Sequence, residues 1–362
     1  MQSASLIDEL EDAIADKRLG RRAEILRRVT DLFISGSGSF SEDQIGLFDE
    51  VMSKLLEHIE LSARVVFSAR LAPQPDAPKN VIQLLAFDDA ISVAAPVLTQ
   101  SDRLSDDLLV KNASTKSQNH LLAISKRSHL SDRVTDVLIE RGDRHVLAST
   151  AGNAGSTFSS RGYGRLVDKA HRDIQLASCI WARSDVPRQE LVRLFSRATE
   201  DVRAKLEAAT PQEAKSIRSA VAAAGETIQE AARQHSSDHR HAWIEVTELH
   251  AKGELDQGRL KAFAGALDFD RTAVALSLMC NLPVRVIERS LAQHRFEQML
   301  VFAKSIELDW DTTKALLVLQ SATHSLDNAE LEQGFASFKR LQVRTAIVAL
   351  QFYRLREQAS SR

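Results

Sequence analysis

Aromatic residues and long apolar runs are scarce in this sequence, and each absence excludes a class of structure. Aromatic residues make up 5% of the 362 residues, and apolar and polar residues do not alternate in the way that a half-buried strand requires. Nowhere does an uncharged apolar run reach the length of about 18 residues that a transmembrane helix needs. Acidic residues near the N-terminus stand where a signal peptide carries positive charge, so we expect a cytoplasmic protein without membrane insertion.

Charge of one sign and cysteine are also scarce. The 47 basic and 49 acidic residues leave a net charge of −2, so the surface as a whole does not attract nucleic acid or an anionic membrane. Cys179 and Cys280 lie far apart in apolar stretches, which indicates buried thiols in a reducing compartment. No phosphate-binding loop and no nucleophile elbow occurs. These absences favour a protein that is not an enzyme and has no cofactor.

Apolar residues recur with the period of an α-helix along nearly the whole chain. Leu6, Leu10 and Ile14 share one helical face. Ser41 and Gln44 have the spacing of a capping box, in which each residue's side chain bonds the other's backbone amide at a helix start. We therefore predict an all-α protein.

Beyond about residue 81 the sequence repeats itself. Ala123, Ala148 and Ala177 recur at intervals of 25 and 29 residues, and each ends a Leu-Ala pair that is followed by a polar turn and a second apolar stretch. A single short helix pair cannot bury its own apolar stripe, whereas stacked pairs bury a continuous one. The pattern predicts an α-solenoid of short helix pairs, and the alternative is an ordinary bundle of unrelated helices.

A segment of different composition, residues 211–234, is rich in alanine and charged residues. Ile217, Val221 and Ile228 share the narrow seam of a long helix that packs against another helix. This helix either braces the repeats or pairs with a second copy in a homodimer. The predicted organisation is an N-terminal helical region over residues 1–78, a repeat lobe over 79–207, the long helix with a polar linker over 208–242, and a C-terminal repeat lobe over 243–362.

Several stretches resemble an alphaproteobacterial family of HEAT-like repeat proteins, catalogued as domain-of-unknown-function family 2336. The resemblance runs from about residue 20 to 355, and it includes Val81–Ala86, Pro96–Leu98 and Val137–Asp143. It implies a HEAT-like helical fold, and it implies no activity and no catalytic residue.

The turns between the repeated helices are the predicted binding edge. Because the repeat places them in register, their polar side chains are expected on one side of the solenoid. The candidates are Lys126, Arg127, His129, Asn153, Arg183 and Asp185. The sequence thus favours a protein-interaction scaffold or regulatory adaptor whose protein partners it does not identify.

Two alternatives come from other classes of function. Arginine clusters near Arg27 and Arg354 could form a basic face for nucleic acid, although the neutral total charge argues against it. His235, His239 and His241 form the densest group of potential metal ligands, which would fit a metal-binding protein or an enzyme. Without an accompanying cysteine, this group is more typical of a solvated linker. The loop Gly152–Gly155 lacks the lysine of a phosphate-binding loop and is interpreted as an inter-helix turn.

Overall fold

The computed structural model describes residues 19–57, 59–171, 173–209, 212, 214–293, 296–321 and 328–360. These ranges contain 21 α-helices and no strand, which confirms the all-α prediction. No helix among them is both long and apolar enough to cross a membrane. The predicted helical face of Leu6, Leu10 and Ile14 lies outside the described residues.

The chain divides into two compact units, residues 1–162 and 163–362. The boundary falls inside the repeat lobe that was predicted over 79–207. The helices up to the boundary are α1 (Leu19–Ser35), α2 (Glu42–Leu56), α3 (Leu61–Leu71), α4 (Lys79–Ala86), α5 (Ile91–Gln100), α6 (Asp106–Thr115), α7 (Gln118–Ile124), α8 (Asp132–Arg141), α9 (Arg144–Gly152) and α10 (Ser160–Ala170), which spans it.

In the first unit the helices stack in two layers. Helices α1, α3, α5, α7 and α9 pack each against the next, while α2 packs on α4 and α6 on α8. Apolar side chains from both layers, among them Phe33, Ile82 and Leu138, form one buried core. This arrangement is the solenoid-like stacking of helix pairs that the sequence predicted.

Hydrogen bonds between successive turns follow the same period. Arg103 Nε donates to the Ala77 carbonyl at 3.0 Å, and Arg127 Nη2 donates to the Ser101 carbonyl at 2.9 Å. Asn153 Nδ2 donates to the Arg127 carbonyl at 2.7 Å. Each donor follows its acceptor by 26 residues. These side chains satisfy carbonyls in turns, outside the regular helical hydrogen-bond pattern.

The second unit contains eleven further helices, among them the two longest of the described residues, with 22 residues each. They are α11 (Ile174–Trp181), α12 (Arg188–Ala209), α13 (Ala214–His235), α14 (Ser237–Ala251), α15 (Gln257–Gly265), α16 (Phe269–Cys280), α17 (Val284–Ala292), α18 (Phe296–Ser305), α19 (Trp310–Gln320), α20 (Asn328–Arg340) and α21 (Val343–Ser360). Helix α12 pairs with α13, α14 with α16, α15 with α19, and α18 with α21. The core of this unit includes Ile287, Met299 and Phe302.

Candidate functional site

A cluster of charged side chains is buried in the second unit. Glu288 on α17 is fully buried, and Asp270 on α16 is 8% exposed. Arg188 on α12 donates to both carboxylates, with 2.6 Å between Nη1 and Asp270 Oδ1. Arg233 on α13 donates to the second oxygen of Glu288 at 2.8 Å, and His239 Nδ1 on α14 lies 3.1 Å from Asp270 Oδ1. The cluster therefore joins five helices.

Hydrogen bonds stabilise the charge of one member of the cluster, Arg233. Burial lowers the pKa of Arg233, but hydrogen bonds to Glu230 and Glu288 outweigh this and raise the pKa above its ordinary value. The Arg233 guanidinium in turn lowers the pKa of Glu230, a carboxyl at the rim of the cluster. Such a buried network costs desolvation energy, so its members depend on one another for compensation.

His239, Asp270 and Glu288 also have the chemistry of a metal site. Their potential ligand atoms lie within 4.8 Å of one another, and an imidazole with two carboxylates is a ligand set that zinc accepts. Both carboxylates, however, already accept hydrogen bonds from the guanidiniums of Arg188 and Arg233. A divalent cation would have to displace these two charges or lie against them. The arrangement fits an ion-pair cluster better than a metal centre.

We accordingly expect Zn²⁺ to leave the thermal midpoint of unfolding unchanged within about 1 °C. If the native state bound the metal, a free metal concentration of a hundred times the dissociation constant would add about 2.7 kcal/mol to the free energy of unfolding. The midpoint would then rise by several degrees. Differential scanning calorimetry with Zn²⁺ and with a chelator measures this. The expectation would be contradicted if Zn²⁺ raised the midpoint of the wild type and of the exposed control His235→Ala but not that of His239→Ala.

The interpretation of the histidine segment as a solvated linker is wrong for His239, which is buried. Only Ser236 separates α13 from α14, and its hydroxyl accepts a hydrogen bond from the His239 amide at 3.2 Å as the N-cap of α14. This cap begins a new helix at once, and its first turn carries His239 into the cluster. His235 and His241 are exposed, and His235 Nδ1 bonds the Ala231 carbonyl of its own helix at 2.7 Å.

The six side chains predicted to contact partners differ in their surroundings. Arg127 is buried, and its guanidinium is committed to turn carbonyls, so it is not presented to solvent. Burial also lowers its pKa. Asn153 bonds the turn before it, and Arg183 forms a two-point ion pair with Asp185 at 2.8 and 2.7 Å. The exposed candidates are Lys126, His129 and Asp185.

The long alanine-rich helix, α13, has a helical partner within its own chain. It packs against α12, and a Cβ added to Gly225 would lie 3.3 Å from Thr199 Oγ1 on that helix, which shows how closely the backbone approaches. Gln229 and Arg233 follow on the buried face, each 6% exposed. Packing against a helical neighbour is thus confirmed for this segment.

The face of α13 that is buried within the chain differs from the seam predicted for this helix. Ile228 is 44% exposed and lies outside the face that is buried within the chain, so a seam that includes it would face a second copy. Val221 is half-buried. The side chain of Ile217 lies outside the described residues. Relative to the predicted seam, the buried face is displaced by one residue, because it includes the polar side chains of Gln229 and Arg233. The burial of Arg233 is compensated by its ion pair with Glu288.

The last helix, α21, presents an apolar face to solvent. Val348, Phe352 and Leu355 are 46%, 69% and 62% exposed. Their spacing of four and three residues places them in one stripe along the helix. On the opposite side Ala346 and Leu350 are buried, and the helix packs on α18. Helix α21 is therefore apolar on two faces, of which one is covered within the described chain.

The exposed charged side chains that α21 itself carries next to this stripe are positive. Arg344 and Arg356 are exposed at its two ends. The helix carries one acidic residue, Glu357, whose carboxylate accepts a hydrogen bond from Arg285 at 3.0 Å. Arg354 is turned inward and donates to the Cys280 carbonyl at 3.1 Å. The exposed face of α21 consequently combines large apolar side chains with positive charge.

Comparison with known proteins places the chain in a family. The family described as "Uncharacterised protein conserved in bacteria (DUF2336)" matches residues 93–351. The comparisons with curated proteins and with solved structures give no significant match. The matched residues include every member of the buried ionic cluster. Because the match spans well over half of the sequence, the chain belongs to this bacterial family, DUF2336.

Proposed function

We propose that the protein is a non-enzymatic interaction scaffold or regulatory adaptor, and that the exposed apolar face of α21 binds a protein partner. The observation that carries this proposal is the stripe of Val348, Phe352 and Leu355 on a helix whose other face is already packed. Contiguous apolar surface is uncommon on monomers unless it is used for binding. Helical anchors spaced by three and four residues are a recurring mode of protein recognition.

The charges favour an acidic, amphipathic helix as the partner. Arg344 and Arg356 would attract its carboxylates while the stripe covers its apolar side. Two copies of α21 pairing antiparallel would instead bring Arg344 of one copy near Arg356 of the other, and like charges oppose such a pair. A HEAT-like stack of helices in the cytoplasm is the setting that we propose for this surface, with support from the layered packing of the first unit.

Affinity capture from the bacterium that encodes the protein tests this function. The double variant Phe352→Glu, Leu355→Glu places two carboxylates in the stripe, and we expect it to lose the proteins that the wild type retains. Ile174→Glu is the matched control, because Ile174 is 82% exposed but does not belong to the stripe. Circular dichroism and thermal midpoints should show that both variants remain folded.

Binding of one captured protein, once purified, makes the test quantitative. Arg344→Glu should weaken its affinity at least tenfold, since one attractive charge becomes repulsive, a change of about 1.4 kcal/mol. Retention of the same proteins by the double variant would remove the basis of the proposal. Binding of the wild type to anionic vesicles in place of any protein would also overturn it.

A further inference from the structure

A pocket of about 500 Å³ lies between α13, α14 and the start of α17 in the second unit. Its apolar lining includes Trp243 and Ile244 of α14, which are 43% and 65% exposed, and the half-buried Val284 of α17. His239, which is 7% exposed, belongs to the same lining, and its ring centroid lies 6.3 Å from that of Trp243. The volume is within the range of about 300–1,000 Å³ that is usual for small-molecule sites.

The hydrogen bond that His239 makes inside the protein determines which ring nitrogen carries the proton. Nδ1 lies 3.1 Å from Asp270 Oδ1, and this oxygen also accepts a hydrogen bond from Arg188 at 2.6 Å. A carboxylate paired with a guanidinium accepts hydrogen bonds, so Nδ1 is the donor. In the neutral ring Nε2 then bears a lone pair.

This second nitrogen of His239 is available to a ligand. No described residue forms a hydrogen bond with Nε2, and the atom is not sealed in the core. The surface that His239 contributes is the wall of the pocket. Because Asp270 fixes the ring from the other side, Nε2 is an oriented acceptor at this wall.

The charges around the pocket leave one cation without a partner. Glu230 pairs with Arg233, which also donates to Glu288. Arg240 lines the pocket as well and is exposed, and no carboxylate of the described residues pairs with it. Since His239 and Arg240 are successive residues of α14, the pocket offers an acceptor and a positive charge close together.

We propose that this pocket binds a small aromatic acid that carries a hydroxyl group, that is, a hydroxyaryl carboxylate. The hydroxyl group would donate to His239 Nε2, and the carboxylate would pair with Arg240. The ring would lie against Trp243 and Val284, because contact between aromatic rings adds to the gain from buried apolar area. This site is a different surface from the stripe on α21, so neither proposal depends on the other.

Titration of the full-length protein with para-hydroxyphenylacetate, followed by NMR, tests the site. The chain has three tryptophans, and Trp181 and Trp310 lie outside the pocket. We expect a saturable shift of the indole N–H signal of Trp243 and no such shift of the other two. Phenylacetate, which lacks the hydroxyl group, should bind about tenfold more weakly, which is the effect of one lost hydrogen bond.

Variants separate the acceptor from the charge. His239→Phe should remove the preference for para-hydroxyphenylacetate over phenylacetate. Arg240→Ala should weaken the binding of para-hydroxyphenylacetate about threefold, yet leave that of the uncharged para-cresol unchanged. Arg259→Ala is the control, because Arg259 is exposed on α15 and outside the pocket. Val284→Phe fills the pocket without altering the ionic cluster, so it should abolish binding even if His239→Phe does not fold.

Nitrogen NMR of the imidazole provides a readout that needs no ligand. At mildly alkaline pH we expect a proton on Nδ1 of His239 and none on Nε2. A proton on Nε2 would overturn the proposal, because the acceptor would then be a donor. Equal affinities for the acids with and without the hydroxyl group would also overturn it. So would a shift of the Trp181 signal as large as that of Trp243, because binding would then not be specific to the pocket.

Discussion

Replacing Glu288 by glutamine is expected to cost about 3–5 kcal/mol of the free energy of unfolding, the usual effect of removing one partner from a buried ion pair. Glu288 is fully buried and accepts hydrogen bonds from Arg188 and Arg233. The amide keeps the shape of the side chain but removes its charge. Arg188 would then retain Asp270 and Arg233 would retain Glu230 as ion-pair partners. The positive charge that Glu288 compensated could not reach water without opening the packing of the five helices.

Urea denaturation followed by circular dichroism measures this loss. Glu245→Gln is the matched control, because Glu245 is an exposed partner of Arg271 at 2.8 Å, and exposed ion pairs contribute about 0–1 kcal/mol. If Glu288→Gln cost no more than the control, the cluster would be hydrated and the proposed cohesion of the five helices would be incorrect.

Gly155→Ala is expected to destabilise the protein by about 2–3 kcal/mol, the range of an overpacked core site. A Cβ at this position would lie 1.7 Å from the carbonyl oxygen of Ser128, and that contact is with backbone, which cannot rotate away. The Gly155 carbonyl also accepts a hydrogen bond from the Leu130 amide at 3.0 Å, and the Leu130 carbonyl accepts one from Thr157 at 2.9 Å. Moving the backbone to admit the methyl group would strain both bonds.

Gly46→Ala provides the opposite case. Gly46 lies inside α2, and a Cβ there would meet nothing within 4 Å. Alanine should stabilise the helix by about 0.5–1 kcal/mol, since it loses less conformational entropy on folding. Denaturation midpoints of the two variants should therefore move in opposite directions. A shift of the same sign in both would show that the close approach between the turns is not a constraint.

Features governed by neighbouring residues were predictable from the sequence. Ser41 and Gln44 form the capping box that their spacing indicates, with each side chain accepting from the other's amide. The loop Gly152–Gly155 is an inter-helix turn, as its composition suggested: α9 ends at Gly152. The helical period of the apolar residues predicted the stacked helix pairs because only stacking buries such stripes.

The buried ionic cluster was not predictable in this way. Arg188 and Glu288 meet across 100 positions of sequence, and no local pattern records such a contact. An apolar pattern also places polar residues in solvent. It therefore predicts a buried Ile228 and an exposed Gln229 on α13, whereas Ile228 is exposed and Gln229 is buried. His239 was recognised as a possible ligand, but its carboxylate partners became visible only through the packing of α14 on α16.

The exposed face of α21 had a signal that was interpreted otherwise. In the sequence alone, the arginines of this segment indicate a possible nucleic-acid surface. Yet Val348 and Phe352 on one side, together with Ala346 and Leu350 on the other, make the helix apolar on two opposite faces, and such a helix requires cover on more than one side. Which side the protein itself covers depends on the position of α18, and that position is a property of the tertiary structure.

The hydrogen bonds between turns bear on how such a chain can grow during evolution. Arg127 and Asn153 each donate to a turn that lies 26 residues earlier. Duplication of a whole helix pair would copy a donor and an acceptor together and leave every bond satisfied, whereas insertion of a single helix would separate them. Lineages that inherit this arrangement can therefore lengthen or shorten the first unit in steps of one helix pair, and changes of other sizes leave buried polar groups for selection to remove.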